Sequence, residues 1–263
     1  MSLWIPTPSY KNGFARNAAE SANPGLWDGL VGAWAPSLGV TGGTLRDQSG
    51  FGRHGSNPAA WVMTELGYGI DIAGANPIQG IPTPALPGDL TLAFWIKPAD
   101  VTSGAYTSDF SGTNEFATVL GYQSGFYNVY GVQYPIGNNA ANSQIPASGN
   151  GIWDHVAWTK RGTILKGYVN GVEEMSGTIT SGDFVPSAGL TIGARDGGAI
   201  RIDALLANYI IWSRALAPNQ IQQLYVDPHA LFRPRGRTIF AAGAAPPAFG
   251  GISQVIGGGI VAA

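Results

Sequence analysis

The chain contains no cysteine. This absence excludes disulfide bonds, thiolate metal sites and cysteine nucleophiles. Eukaryotic extracellular modules often carry a disulfide, so we expect this chain to fold in a reducing cytoplasm.

Charge is scarce as well. Charged residues make up 11% of the sequence, whereas globular chains typically have about 25%. The net charge is −2, so the chain shows no general footprint of nucleic-acid binding. Because a surface with few charges is poorly soluble, the composition favours a protein whose surface is partly covered by partners.

Long apolar runs are also missing. No stretch reaches the roughly 18 apolar residues of a membrane-spanning helix, so we expect no membrane span. The first residues, MSLWIPTPSYKNGFARN, do not combine a basic region with an apolar run, so we expect no secretory signal.

What the chain has in quantity is glycine and proline, 39 and 18 of its 263 residues. Such a composition indicates many turns and short strands. The stretch 153–176 alternates apolar and polar residues, which predicts three strands with a first turn at 161–163. Asn170-Gly171 supplies two residues that tolerate positive φ, so we expect a type I′ hairpin there.

Two further patterns locate core elements. Phe94 and Trp95 are neighbours in a strong strand and must face opposite sides, so we expect that strand to be covered on both. Residues 217–225 form the one convincing helix, with Pro218 in its first turn and apolar residues on one face.

One loop and one group of tyrosines are candidates for ligand contact. The loop 47–55 suggests a metal or ligand loop, but an Asx-type turn capped by Asp47 is the favoured interpretation. The tyrosines Tyr122, Tyr127 and Tyr130 are candidate glycan contacts, although tyrosine is also common on ordinary sheet faces.

Five segments occur in a characteristic order: Leu30–Trp34, the loop Asp47–Gly55, Leu90–Pro98, Leu190–Gly193 and Ile211–Tyr225. Together with the meander at 153–176 they resemble laminin G-like jelly rolls of the concanavalin A-like lectin and glucanase superfamily. The resemblance implies an all-β fold, a two-sheet antiparallel jelly-roll sandwich with one short C-terminal helix and extended N- and C-terminal arms. It divides the chain into an arm (1–27), a jelly-roll domain (28–226) and a Gly/Ala-rich tail (227–263).

The chemistry of that superfamily is only partly matched. Glucanases of this fold place paired acids on one strand, whereas the nearest acids here are Asp71 and the adjacent Glu173 and Glu174, which face opposite sides of a strand. Laminin G-like calcium sites commonly use an Ile-Asp-Asp that matches residues 206–208, and this chain has Leu-Ala-Asn there. We therefore expect no catalytic residues, no metal and no cofactor.

The C-terminal tail gives the most specific indication of function. Residues 227–235 resemble a segment of bacteriophage proteins with the same core, Asp-Pro-x-Ala-Leu-Phe-Arg-Pro-Arg. That resemblance implies a virion structural protein, either a capsid decoration or a tail-associated protein, that is made in the host cytoplasm and docks through its termini onto virion proteins or other copies of itself. The residues assigned to assembly are Phe232, Arg233, Arg235, Arg237, Ile239, Phe240, Ile252, Val255 and Ile256. A chain truncated after Tyr225 is then expected to keep a folded body.

Two other functions remain open. One is a carbohydrate-binding module that recognises host surface glycans, which is suggested by fold analogy. The other is a glycoside hydrolase, which the missing acid pair disfavours.

Overall fold

A computed structural model describes residues 13–72, 77–82, 86, 88–102, 105–112, 116–120, 125–130, 144–178, 186–194 and 201–236. The strands within these residues are β1 (Leu30–Trp34), β2 (Thr44–Leu45), β3 (Gly55–Ser56), β4 (Ala60–Thr64), β5 (Gly67–Asp71), β6 (Ile78–Ile81), β7 (Leu90–Pro98), β8 (Ala105–Gly112), β9 (Phe116–Leu120), β10 (Phe126–Tyr130), β11 (Gln144–Pro146), β12 (Asp154–Arg161), β13 (Ile164–Val169), β14 (Val172–Thr178), β15 (Pro186–Ile192) and β16 (Ala204–Trp212).

These strands form two antiparallel sheets, which confirms the predicted jelly-roll sandwich. The first sheet has the order β14-β13-β12-β7-β16-β5-β4, and β1 also pairs with β16. The second sheet has the order β11-β10-β9-β8-β15-β6-β3-β2. A single α-helix, α1 (Pro218–Val226), and three short 3-10 helices (Pro24–Leu26, Pro36–Leu38 and Ala230–Phe232) complete the described elements.

The meander in the first sheet follows from local sequence. In β12, Val156 and Trp158 point into the core between the sheets, while Ala157 packs on the outer face. Between β13 and β14, Asn170 has φ 52° and Gly171 has φ 81°. Positive φ at both turn residues is the geometry of a type I′ turn, which confirms the predicted hairpin.

The first sheet is apolar on both faces. Phe94 belongs to the cluster between the sheets, and Trp95 is buried on the outer face. Helix α1 lies on that outer face and buries Ile221 and Leu224. Tyr225 of the helix stacks on Trp95 with ring centroids 5.8 Å apart. The predicted cover on both sides of this strand is therefore present.

The two ends of the described chain bind each other on the same outer face. We call residues 13–27 and 227–236 the terminal clasp. Three backbone hydrogen bonds join its halves: Ala15 N–H to the Phe232 carbonyl (2.9 Å), Ala22 N–H to the Arg233 carbonyl (2.8 Å) and Arg235 N–H to the Glu20 carbonyl (2.7 Å).

Side chains complete the terminal clasp. Phe232 is 1% exposed, and Phe14 and Trp27 each meet its ring edge-on at 6.3 Å between centroids. The carbonyl of Leu231 accepts hydrogen bonds from the Ser21 hydroxyl (3.1 Å) and the Trp27 indole (2.8 Å). The segment after α1 is thus part of the apolar core of the body.

This packing corrects two expectations from the sequence. Phe232 is not a side chain available to a docking partner, because the protein's own aromatic residues enclose it. The body also does not end at Tyr225, because Leu231 and Phe232 complete the cluster that covers the first sheet. A truncation that keeps the body whole must therefore fall after Arg235, whose N–H donates to the Glu20 carbonyl.

Two buried histidines lie in this region, His155 under the cover and His229 within the terminal clasp. His155 sits on the outer face of β12 between Trp95 (centroids 5.3 Å apart) and Tyr225 (6.4 Å). A small cavity beside it is lined by Ala93, Trp95, His155, Asn208, Ile210, Leu224 and Pro228. Burial lowers the pKa of His155 to about 3 and is the main cause that lowers the pKa of His229 to about 4.

We predict that a chain ending at Tyr225 fails to fold, whereas a chain ending at Gly236 melts like the full-length protein. Loss of a buried phenylalanine alone costs about 3 to 5 kcal/mol, and the shorter chain also exposes Phe14 and Trp27. Soluble yield and thermal melting by circular dichroism would check this. A native melting curve for the 1–225 chain would contradict it.

We also predict that acid destabilises the protein through His155 and His229. Their pKa values are lower in the folded state than the unperturbed value near 6.5, so the unfolded chain binds more protons below that pH. Stability is therefore fully present above pH 6.5 and is lost as the pH falls towards 4 and then 3. Between pH 7.5 and 5 each histidine contributes a loss of about 2 kcal/mol.

Denaturant unfolding at pH 7.5, 6 and 5 measures this loss. His155→Phe should remove about half of it, whereas the matched variant at the exposed third histidine, His54→Asn, should keep all of it. Equal acid sensitivity in all three proteins would show that other groups are responsible.

Candidate functional site

The loop between β2 and β3 is built around one buried carboxylate. Asp47 accepts hydrogen bonds from the N–H groups of Ala33 (3.0 Å), Ser49 (2.9 Å) and Arg53 (3.1 Å), and from the Ser49 hydroxyl (2.7 Å). The N–H of Asp47 in turn donates to Nδ1 of His54 (3.1 Å). All of these contacts are internal, so Asp47 caps the loop, as the favoured interpretation predicted.

The glycines of this loop have two different roles. Gly50 (φ 92°) and Gly52 (φ 72°) adopt the left-handed region that favours glycine. Gly55 does not adopt that region. A Cβ there would lie 2.7 Å from Ile81 and 2.9 Å from Ile78, so Gly55 allows β3 to pack closely on β6.

The same loop presents a large apolar side chain to solvent. Phe51, between Gly50 and Gly52, is 59% exposed. The guanidinium carbon of Arg53 lies 4.5 Å from the centroid of its ring, a cation–π contact. The sequence interpretation treated the loop as a turn and overlooked this ring. The available signal was an aromatic residue flanked by glycines in a polar loop.

A second buried carboxylate joins the two sheets at another place. Asp154 of β12 is fully buried. It accepts hydrogen bonds from the Tyr127 hydroxyl (2.9 Å), the N–H of Ser148 (2.9 Å), the Ser148 hydroxyl and the Asn170 amide (3.0 Å). Four donors satisfy the charge, so this network is structural, and the sequence interpretation missed it.

This network corrects the assignment of Tyr127 as a glycan contact. Its ring belongs to the core between the sheets, and its hydroxyl is committed to Asp154. Burial, and then the negative charge of Asp154, raise the pKa of Tyr127 well above its usual value. Tyr122 and the side chain of Tyr130 lie outside the described residues.

The acids nearest to a hydrolase pattern lie far apart. Glu173 is paired with Lys166 at 2.9 Å and accepts a hydrogen bond from the Tyr168 hydroxyl (3.3 Å). Asp71 is in β5, five strand positions from the β14 strand of Glu173 and Glu174. At about 4.8 Å per strand that is roughly 24 Å, whereas glycosidase carboxyl groups stand about 5 to 9.5 Å apart.

The positions that match a family calcium site have a structural role in this chain. Leu206 and Ala207 are buried. Asn208 (φ 49°) accepts a hydrogen bond from the Ser37 hydroxyl and donates one to the Pro228 carbonyl (2.9 Å). Asn208 thereby holds the start of the C-terminal half of the clasp. In the described part of the chain, no cluster of three or more His, Cys, Asp or Glu could hold a metal ion.

The remaining assembly residues are only partly described. The guanidinium of Arg233 pairs with Asp227, and Nε of Arg235 donates to the Ser21 carbonyl (2.9 Å). Both arginines retain exposed surface, so their role in assembly stays a prediction. Residues assigned to assembly but outside the described part are Arg237, Ile239, Phe240, Ile252, Val255 and Ile256.

No described helix is long and apolar enough to cross a membrane.

No curated protein sequence matches the chain significantly. Many solved structures share its fold, and three of them illustrate the range. Domain 4 of AbnA, an extracellular arabinanase of Geobacillus stearothermophilus solved with arabinotriose, has TM-score 0.58 and 21% identity over 74% of this chain and 98% of its own.

Two of the other similar structures are of larger proteins. A botulinum neurotoxin type C structure, from work on its interaction with two ganglioside molecules, has TM-score 0.58 and 14% identity over 76% of this chain and 51% of its own. A mutant of Trypanosoma rangeli sialidase has TM-score 0.54 and 16% identity over 76% of this chain and 33% of its own. Residues 74–222 match the family Laminin_G_3, and this chain therefore belongs to the concanavalin A-like lectin/glucanases superfamily.

Proposed function

We propose that this protein is a non-catalytic carbohydrate-binding module. The observation that carries the proposal is its likeness to domain 4 of the arabinanase. The match extends over 98% of that domain, whose structure contains arabinotriose. The body of this chain therefore has the same fold as a complete domain that binds a sugar in another protein.

Four of the described carboxylates support a non-catalytic function. Asp47 and Asp154 are buried and saturated with internal hydrogen bonds. Glu173 is paired with Lys166, and Asp71 lies about 24 Å from it by strand spacing. None of these groups can act with another as an acid and a nucleophile on the same glycosidic bond.

The cover on the first sheet restricts where a sugar binds. Helix α1 and the terminal clasp occupy its outer face. Carbohydrate contact is then expected from connecting loops or from the second sheet. Loops held on a rigid β-scaffold are common binding surfaces.

We predict saturable binding to at least one class of glycan, without release of sugar. A glycan array followed by calorimetric titration measures binding, and arabinotriose is included as one probe. A reducing-sugar assay on every glycan that binds tests hydrolysis. Failure to bind any glycan would refute the carbohydrate function, and released sugar would refute the non-catalytic one.

A second candidate function is that of a virion structural protein, a capsid decoration or tail-associated subunit. One specific observation favours it. The clasp joins Ala22 to Arg233 and Glu20 to Arg235, so the two ends of the described chain meet at one place. A body whose two ends meet is well suited to attachment to neighbouring virion subunits, or to other copies, through a single patch.

We predict that a chain comprising residues 13–236 stays folded and monomeric but no longer assembles. Light scattering of the purified protein measures self-association, and incorporation into particles is measured by complementation of a deletion strain. Full-length protein is the reference. Normal incorporation of the 13–236 chain would refute attachment through the termini and leave the carbohydrate function standing alone.

A further inference from the structure

The loop 46–55 carries a polar and aromatic surface that is largely exposed to solvent. We call Arg46, Phe51, Arg53 and His54 the Phe51 ledge. Three of these side chains are exposed, and that of Arg53 is half-buried. We propose that the Phe51 ledge binds the acidic sugar residue of a glycan, an inference that rests on the proposed carbohydrate-binding function.

The first argument is rigidity. Asp47 holds the loop through four hydrogen bonds. The loop is also tied to β1, since the Gln48 N–H donates to the Ala33 carbonyl (2.7 Å) and the Trp34 indole donates to the Arg53 carbonyl (2.7 Å). A surface that is ordered before binding loses little conformational entropy when a ligand arrives.

The second argument is the aromatic ring. An isolated exposed apolar residue is ordinary, but Phe51 differs because its partner Arg53 is itself fixed. The Arg53 guanidinium lies on the ring (4.5 Å) and also donates to the Val31 carbonyl. The apolar C–H face of a pyranose can pack on the ring face opposite Arg53, where a large contact area is combined with few rotatable bonds.

The third argument is charge. The whole chain has a net charge of −2, yet the ledge carries Arg46 and Arg53 without a free acid. The acid in the loop, Asp47, is 6% exposed and already saturated by donors. A local cation beside an aromatic ring favours an anionic ligand over a neutral one.

Arg53 also has the geometry to recognise a carboxylate. A guanidinium has five N–H donors arranged as a planar fork. In the described part of the chain, its side chain makes one hydrogen bond, from Nη1 to Val31. The other N–H groups match the two oxygens of a sugar carboxylate, so the ledge fits uronic or sialic acids better than neutral sugars.

Paired glycans test the ligand class. The probes are 3′-sialyllactose against lactose and trigalacturonic acid against galactotriose. We expect the acidic member of at least one pair to bind about tenfold more tightly at low salt. This preference should shrink as salt rises, because exposed charges are screened.

Variants test the site. Phe51→Ala should weaken binding of the acidic probe by about tenfold, and Arg46→Gln and Arg53→Gln should each reduce the preference for acid. Because Arg53 also contacts Val31, the melting temperature of the Arg53→Gln variant is measured as well. Arg46→Gln serves as the charge variant without that contact. Val172→Ala, at a similarly exposed position on the β13–β14 hairpin, should bind like the parent protein.

The outcomes separate the two proposals. If the parent protein binds glycans but Phe51→Ala binds them equally well, the Phe51 ledge is not the binding site, while the proposed carbohydrate function stands. If acidic and neutral probes bind equally, the ligand class is wrong. If the parent protein binds no glycan, both proposals fall.

Discussion

The first sheet is apolar on both faces, and the need to bury both of them determines the rest of the structure. Phe94 and Trp95 are consecutive in β7, and both are buried. The second sheet covers one face. The other face requires a separate cover, which α1 and the two halves of the clasp provide. Without that cover, Trp95, Ile210 and Trp212 would contact water.

The elements that depend on neighbouring residues could be predicted from the sequence. The hairpin at Asn170-Gly171 needs only two residues that accept positive φ. The two faces of β12 follow from alternation, and α1 begins one residue later than predicted. In each case the deciding interactions lie within a few positions along the chain.

The elements that the sequence did not reveal depend on distant contacts. Phe232 lies in a stretch without strong periodicity, and its burial depends on partners such as Phe14, more than 200 positions away. The exposure of Phe51 and the burial of Tyr127 likewise depend on which loop or sheet covers each ring. A tyrosine in a strand favours neither face by itself. For Tyr127 the hydrogen bond to the buried Asp154 places the ring in the core.

The terminal clasp also determines how mechanical load passes through the molecule. If the protein is pulled at residues 13 and 236, tension reaches the backbone pairing of residues 20–22 with 233–235 before it reaches any strand of the sandwich. The interlocked rings of Phe14, Trp27 and Phe232 share that load. The sandwich, including the loop that carries Phe51, would stay undistorted until the clasp yields.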